Sequence, residues 1–278
     1  MVTILDGKKL REKILEDLKQ KLDKFQVKPT LVVILVGENP ASKIYVNNKK
    51  KTAEKIGINS QVINYPSDVT EEELLNKIDE LNNDKSVSAL LVQLPLPKHI
   101  SKENIMNAIC PRKDVDGFTP YNFGKLFSGE TPTVYPCTPK GILLLLDEYG
   151  IELEGRHAVI IGRSNIVGRP LSQMLLDRNA TVTVCHSKTK NLTEITKTAD
   201  ILISAVGKNI IEGKMLKPGC VVADVGIFKD DNGKTRGDVD FESVSQIASY
   251  LSPVPGGIGP MTITSLMLNT VELFEKFS

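Results

Sequence analysis

The sequence predicts an α/β protein of two domains, an N-terminal three-layer α/β domain followed by a C-terminal Rossmann-like dinucleotide-binding domain. Three observations carry this. Apolar strand-length runs alternate with helical periodicities in two successive series, the pattern of parallel sheets covered by helices. Between the series, residues 95–139 are rich in Pro, Gly, Asp and Asn. In the second series a glycine-bounded turn, Gly162-Arg-Ser-Asn-Ile-Val-Gly168, joins an apolar strand directly to a helix. A chain of 278 residues is long enough to bury two cores of ordinary size.

The first helix is expected from Asp6 to Phe25, because Leu10, Ile14, Leu18, Leu22 and Phe25 recur at helical spacing among charges. A strand over Leu31–Val36 follows, then a helix with Asn39 as N-cap, Pro40 in its first turn and Gly57 as its stop. A strand at Gln61–Tyr65, a helix at Thr70–Asn82 and a buried strand at Ala89–Leu94 complete the first series. Pro95–Pro139 should hold loops and short helices, where sites tend to lie. The second series reads as a helix from Thr138 to Tyr149, strand His157–Ile161, helix Gly168–Asn179, and strands Thr181–Cys185, Ile201–Ser204 and Val221–Val225. A last helix, Met261–Phe277, has a long apolar face suited to folding back on the first domain. The expected boundaries are therefore 1–137 plus 262–278 for the first domain and 138–261 for the second.

Composition narrows the function. The 35 basic and 34 acidic residues leave a net charge of +1, and neither sign forms a tail or block. No field gathers nucleic acid or an anionic membrane, so a small-molecule partner is expected. Asp6 and Lys8 interrupt the N-terminal stretch where a secretory signal would be apolar, and no run approaches 18 apolar residues. A soluble, cytoplasmic protein is expected. Cys110, Cys137, Cys185 and Cys220 lie far apart without C-x-x-C spacing, and His99, His157 and His186 are scattered, so neither a disulfide framework nor a metal site is expected.

The turn at 162–168 offers a helix N-terminus to phosphate. Ser164 replaces the second glycine of the usual G-x-G-x-x-G, so by itself the segment also reads as a plain strand-to-helix turn. The next strand ends Val182-Thr-Val-Cys-His-Ser-Lys188, with no acid where an NAD enzyme holds the ribose 2′-hydroxyl. Ser187, Lys188 and Arg163 instead offer a hydroxyl and positive charge to a 2′-phosphate, which favours NADP. Taken singly, Lys188 also reads as a surface lysine.

In the first domain Ser42, Tyr45 and Lys49 share a ~60° arc of one helix, at about 100° per residue. That face presents a hydroxyl, a ring and an amine. Because Lys49 belongs to Asn-Asn-Lys-Lys-Lys, the alternative is a solvated charge run. Gln93 stands at the carboxyl end of a strand, where parallel sheets bind ligands; it also suits pairing with a loop backbone. Asp114-Val-Asp-Gly117 is either a turn or a ligand-facing carboxylate, and its spacing excludes an EF-hand. Pro253-Val-Pro-Gly-Gly-Ile-Gly-Pro-Met-Thr262 is either a linker or a wall of exposed backbone for a flat ligand.

Six segments, taken in order, resemble the bifunctional methylenetetrahydrofolate dehydrogenase/cyclohydrolases: Val-Gly-Glu-Asn-Pro-Ala-Ser-Lys-Ile-Tyr-Val (36–46), Val-Gln-Leu-Pro-Leu-Pro (92–97), Lys-Asp-Val-Asp-Gly-Phe (113–118), Pro-Cys-Thr-Pro-Lys-Gly (136–141), Gly-Arg-Ser-Asn-Ile-Val-Gly-Arg-Pro (162–170) and the 253–262 segment. The resemblance runs nearly end to end. It implies a catalytic first domain, NADP on the second, a cleft between them and a homodimer. It further implies oxidation of 5,10-methylenetetrahydrofolate by NADP and hydrolysis of the methenyl product to 10-formyltetrahydrofolate. By resemblance Lys49 is the catalytic lysine, Gln93 the neighbour that tunes it, Tyr45 the ring that stacks on the folate, and Asp116 the anchor of the pterin. Ser42, Pro255, Gly256, Gly257 and Thr262 join Tyr45 and Asp116 in binding substrate. Gly162, Arg163, Ser164, Ile166, Val167, Gly168, His186, Ser187, Gly226 and Ile227 are the cofactor contacts. Whether Lys49 acts as a base or as a charged hydrogen-bond donor stays open. The rivals are a shikimate-type dehydrogenase, which leaves Tyr45 and the Pro-Gly segment unexplained, and a dinucleotide-binding module without catalysis.

Overall fold

The structure, a computed structural model, describes residues 1–277. In chain order its elements are β1 (Thr3–Ile4), α1 (Gly7–Asp23), β2 (Thr30–Val36), α2 (Pro40–Ile56), β3 (Asn59–Tyr65), α3 (Glu71–Asn83), β4 (Ala89–Val92), α4 (Lys102–Ala108) and α5 (Pro120–Phe127). They continue with α6 (Cys137–Glu148), β5 (His157–Ile161), α7 (Gly168–Leu176), β6 (Thr181–Cys185), α8 (Leu192–Thr196), β7 (Ile201–Ser204) and β8 (Val221–Asp224). A short hairpin, β9 (Phe228–Lys229) and β10 (Thr235–Arg236), is followed by α9 (Phe241–Ser245), β11 (Tyr250–Leu251) and α10 (Ile258–Phe277). The chain divides into two compact units, one of Lys13–Cys137 with the residues from Ile263 on, the other of Met1–Glu12 with Thr138–Thr262.

The first unit is built on a parallel sheet in the order β3-β2-β4. Every residue of central β2 is buried, as expected of a strand covered on both faces. Its side chains alternate between two cores. Leu31, Val33 and Leu35 pack with Leu15, Leu18 and Leu22 of α1, Val46, Ala53 and Ile56 of α2, and Leu266, Met267 and Val271 of α10. Val32, Ile34 and Val36 pack with Leu74, Ile78 and Leu81 of α3 and Ile105 and Met106 of α4. The result is helix, sheet, helix. The chain leaves β2 for β3 on one side and then crosses from β3 past β2 to β4 on the other, so the carboxyl ends of β2 and β4 flank a switch point.

The second unit holds a six-stranded parallel sheet in the order β1-β11-β8-β7-β5-β6. From β5 the chain steps outward to β6 and then returns to β7 on the other flank. The switch point therefore lies between β5 and β7, where the loop after β5 opens. Val159, Ile161, Leu202, Val222 and Leu251 share a core with Met215, Leu216 and Val244, while α7 packs on β5 and β6.

The expected domain boundary differs at the N-terminus. Met1–Glu12 group with the second unit, because β1 pairs in parallel with β11 and Val2 packs on that unit's core. Two-residue strands such as β1 and β11 carry no periodicity for sequence to show. The last helix starts earlier than expected, at Ile258, with Pro260 tolerated in the first turn, where no backbone donor is needed.

Candidate active site

Helix α2 begins where Asn39 caps it, its side chain accepting the Ser42 N–H at 3.1 Å, and ends on Gly57 at φ 93°. Of its buried positions, Ser42, Val46, Lys49, Ala53 and Ile56 repeat by four and three, the period of a core-facing stripe, with Thr52 beside them. Lys49 sits on that stripe and is 7% exposed, whereas Lys50 pairs with Glu54 on an outer face. The solvated-run reading therefore holds for Lys50 and fails for Lys49. A buried ammonium needs a partner, and Lys49 Nζ donates to Gln93 Oε1 at 3.0 Å. Gln93, just past the carboxyl end of β4, is held by its own N–H donating to Ile34 O at 2.8 Å and by Nε2 donating to Leu94 O at 2.8 Å. An ammonium only donates, so the amide oxygen faces it. Ser42 is buried with Lys49, while Tyr45 at the edge of the arc is 40% exposed, its ring open to solvent.

The Asp114–Gly117 loop lies along β4, Leu90 N donating to Lys113 O at 2.7 Å and Val115 N to Leu90 O at 3.5 Å. Buried Asp114 accepts from Phe118 N (3.1 Å), Thr119 N (2.8 Å) and Asn122 Nδ2 (2.8 Å). It is a structural anchor, so the turn reading belongs to Asp114 and leaves Asp116 as the outward carboxylate. Asp116 keeps some accessible surface, yet dense surrounding protein raises its pKa, the positive charge of Lys49 pulls it down, and Asp114 pushes it up again. Lysine, glutamine amide and carboxylate thus converge at the carboxyl end of β4.

In the other unit the turn after β5 is tight. Gly162 has φ 119°, and a Cβ at Gly168 would lie 2.0 Å from Gly162 O, so glycine is required at both ends. Ser164 Oγ accepts from Val167 N at 3.1 Å, and Val167 gives the α7 N-terminus no side-chain cap. Arg163, Ser164 and Ile166 are exposed on this turn. After β6, His186 N donates to Thr189 Oγ1 at 2.8 Å, and its Nδ1 accepts from Lys188 N at 3.1 Å; Ser187 and Lys188 are exposed. After β8, Gly226 is buried and Ile227 exposed. All these segments follow carboxyl ends of parallel strands, and they offer an uncapped helix N-terminus, a hydroxyl and cations with no acid beside them. Those groups fit a dinucleotide carrying a 2′-phosphate.

The 253–262 segment is not a linker. Gly257 N donates to Pro253 O at 2.8 Å, Lys8 N donates to Gly256 O at 3.1 Å, and a Cβ at Gly7 would lie 1.8 Å from Gly257 O. Thr262 Oγ1 is 3.0 Å from Thr138 Oγ1, and Pro255 follows a cis peptide.

Residues 5–116 match the tetrahydrofolate dehydrogenase/cyclohydrolase catalytic domain, and residues 136–278 match the NAD(P)-binding domain of the same family. The chain belongs to the tetrahydrofolate dehydrogenase/cyclohydrolase family. It is 53% identical to the bifunctional protein FolD of Ligilactobacillus salivarius over 99% of this chain and 98% of that one. Among solved structures it is similar to the bifunctional FolD enzyme of Campylobacter jejuni (51% identity, TM-score 0.97, 99% of each chain). It is also similar to the Trypanosoma brucei dehydrogenase-cyclohydrolase, solved with NADP and an inhibitor (33% identity, TM-score 0.94, 99% of this chain and 98% of that one). Membership in the tetrahydrofolate dehydrogenase/cyclohydrolase family makes this chain an enzyme with an NAD(P)-binding domain. Both the shikimate reading and the non-catalytic reading end there.

Sequence reasoning did not single out Asn269, a fully buried amide in α10. Its signal was present as an amide side chain, beside Thr270, inside the otherwise apolar run Leu266-Met-Leu-Asn-Thr-Val271.

Proposed function

We propose that Lys49, Gln93, Tyr45 and Asp116 carry the two folate reactions of this enzyme, which oxidises 5,10-methylenetetrahydrofolate to the methenyl form with NADP and hydrolyses that to 10-formyltetrahydrofolate. The observation that supports this best is the buried Lys49–Gln93 hydrogen bond at the carboxyl end of β4, beside Asp116. A buried lysine held by a neutral amide has its charge uncompensated by that partner, so it is placed to bond an anionic or developing oxygen.

In the first step Asp116 and Tyr45 orient the folate, the carboxyl by hydrogen bonds to the pterin and the ring by stacking. Ser42, Pro255, Gly256, Gly257 and Thr262 are assigned to substrate contact with them. Gly162, Arg163, Ser164, Ile166, Val167, Gly168, His186, Ser187, Gly226 and Ile227 are assigned to hold the dinucleotide, which when bound would supply the acceptor for the hydride of the methylene carbon. Positioning is the protein's contribution to this step. In the second step water adds to the methenyl carbon, one carbon–nitrogen bond breaks, and the formyl group stays on the other nitrogen. Lys49 polarises or deprotonates in that step, with Gln93 fixing the direction of its Nζ.

The homodimer and the cytoplasmic setting belong to the same proposal. Four free thiols suit a reducing compartment, and among the described residues no helix is long and apolar enough to cross a membrane.

Purified enzyme with 5,10-methylenetetrahydrofolate and NADP or NAD, read separately for reduced cofactor and for the methenyl species, tests the assignment. Reduction of NADP with methenyl decay in the wild type, and with methenyl persisting in Lys49→Gln, is the expected result. Undiminished methenyl decay in Lys49→Gln removes Lys49 from the chemistry.

A further inference from the structure

The loop that carries Asp116 has little regular structure of its own, so something else must set where its carboxylate stands. Buried groups on both sides of it converge on one side chain. Asn269, 0% exposed on an apolar helix, gives the hydrogens of its single amide group to Val115 O at 2.9 Å and to Tyr135 O at 2.9 Å. A buried amide is costly unless bonded, and these partners are backbone carbonyls of two separate irregular segments. Val115 immediately precedes Asp116. Tyr135 immediately precedes Pro136 and Cys137 at the start of α6.

Cys137 ties the same three pieces together. Its thiol is buried, donates to Val115 O at 3.5 Å and accepts from Asn269 Nδ2 at 3.5 Å. The packing leaves no slack, because Gly117 (φ 70°) already sits where a Cβ would be 3.0–3.1 Å from the Val134–Pro136 backbone. The Val115 carbonyl is therefore clamped between an amide and a thiol, one bond away from the residue whose side chain meets the substrate.

We propose that Asn269 is a positioning residue for the folate. It locks the Val115 and Tyr135 carbonyls so that the Asp116 carboxyl is presented in one orientation, with the Cys137 thiol bonding the same Val115 carbonyl. The inference rests on the assignment of Asp116 to the pterin. It adds the prediction that a residue near the end of the chain, which touches no substrate, sets the affinity for folate.

The test measures steady-state constants for both reactions, the NADP dissociation constant by fluorescence titration, and thermal melting for Asn269→Leu, Cys137→Ala, Cys137→Ser and Asp116→Asn. Expected for Asn269→Leu is a rise of at least tenfold in KM for folate in both reactions, with kcat reduced less than threefold and NADP binding as in the wild type. Cys137→Ala should show the same split at roughly threefold, and Cys137→Ser, which restores a donor, should recover it. If Asn269→Leu does not fold, the two Cys137 variants decide. A lowered melting temperature with KM for folate unchanged, or equal loss of folate and NADP affinity, overturns the proposal. If Asp116→Asn also leaves KM unchanged, the assignment of Asp116 fails first. If Asp116→Asn raises KM and the Asn269 and Cys137 variants do not, only the positioning role fails.

Discussion

At the scale of single residues, the determining fact is the environment of Lys49. It occupies a position that the helix reserves for apolar side chains, and its Nζ meets an amide oxygen rather than a carboxylate. Replacing it by Gln keeps most of the length and the hydrogen-bonding ability but removes the charge and the proton. Cyclohydrolase kcat is then expected to fall by about 10²–10⁴, the usual share of a positioned acid or base, as read from methenyl absorbance decay. Asp116 differs in kind, since burial raises its pKa against the pull of Lys49. Removing the Lys49 charge takes that pull away. The pH at which folate affinity changes should therefore move upward in Lys49→Gln, and a profile of KM against pH that is superimposable on the wild type's would contradict the coupling.

At the scale of elements, the β5–α7 turn and helix α10 carry the clearest expectations. Gly168→Ala places a Cβ 2.0 Å from Gly162 O, and backbone cannot yield as a side-chain tip can. The turn must open, so NADP affinity is expected to fall at least tenfold by fluorescence titration, since closely placed backbone N–H groups are what hold a pyrophosphate. Asn269→Leu should leave the Tyr135 carbonyl without its amide donor and the Val115 carbonyl with the Cys137 thiol alone. At about 1–3 kcal/mol for an unsatisfied group, a loss of about 1–3 kcal/mol in urea unfolding is expected, whatever its effect on folate binding.

At the scale of the whole molecule, stability should depend on pH in a direction that the buried carboxylates set. Burial, reinforced by repulsion from Asp238 and opposed by backbone N–H bonds, raises Asp224 from 3.8 to about 7. Among the described residues neither of these two carboxylates has an ion-pair partner. Between about pH 4 and 7 the folded state holds a proton at Asp224 that the unfolded state has released, so stability falls as pH rises through that window. Asp116 acts in the same direction. Asp200, lowered by its hydrogen bond to Lys217 and the His157 N–H, contributes stability that is lost only on acidification below its ordinary value near 3.8. Cys220, raised to about 12 by burial, adds a loss above pH 9. Melting temperature should therefore peak near pH 4, decline from there to about pH 7 and level off until the Cys220 loss begins above pH 9, with Asp238→Asn flattening the decline. A melting temperature that climbs from pH 6 to 8 would show that Asp224 is ionised in the fold at neutral pH.

Much of this was legible in the chain itself. Strands β5, β6 and β7 stand at the expected residues, and Asn39, Pro40 and Gly57 bound α2 as their chemistry dictates, because apolar runs, caps and turn glycines are local signals. The six motif segments decided the family for the same reason, since each is a short contiguous string. Distant pairings decided the rest. That β1 joins the second unit's sheet through β11, that Lys49 meets Gln93 across 44 positions, and that Asn269 holds Val115 across 154 leave no periodicity in sequence. The local chain determines which side chains lie on which face of an element. Only packing brings those faces together, and it is packing that buries Lys49 and hands it the Gln93 amide to bond.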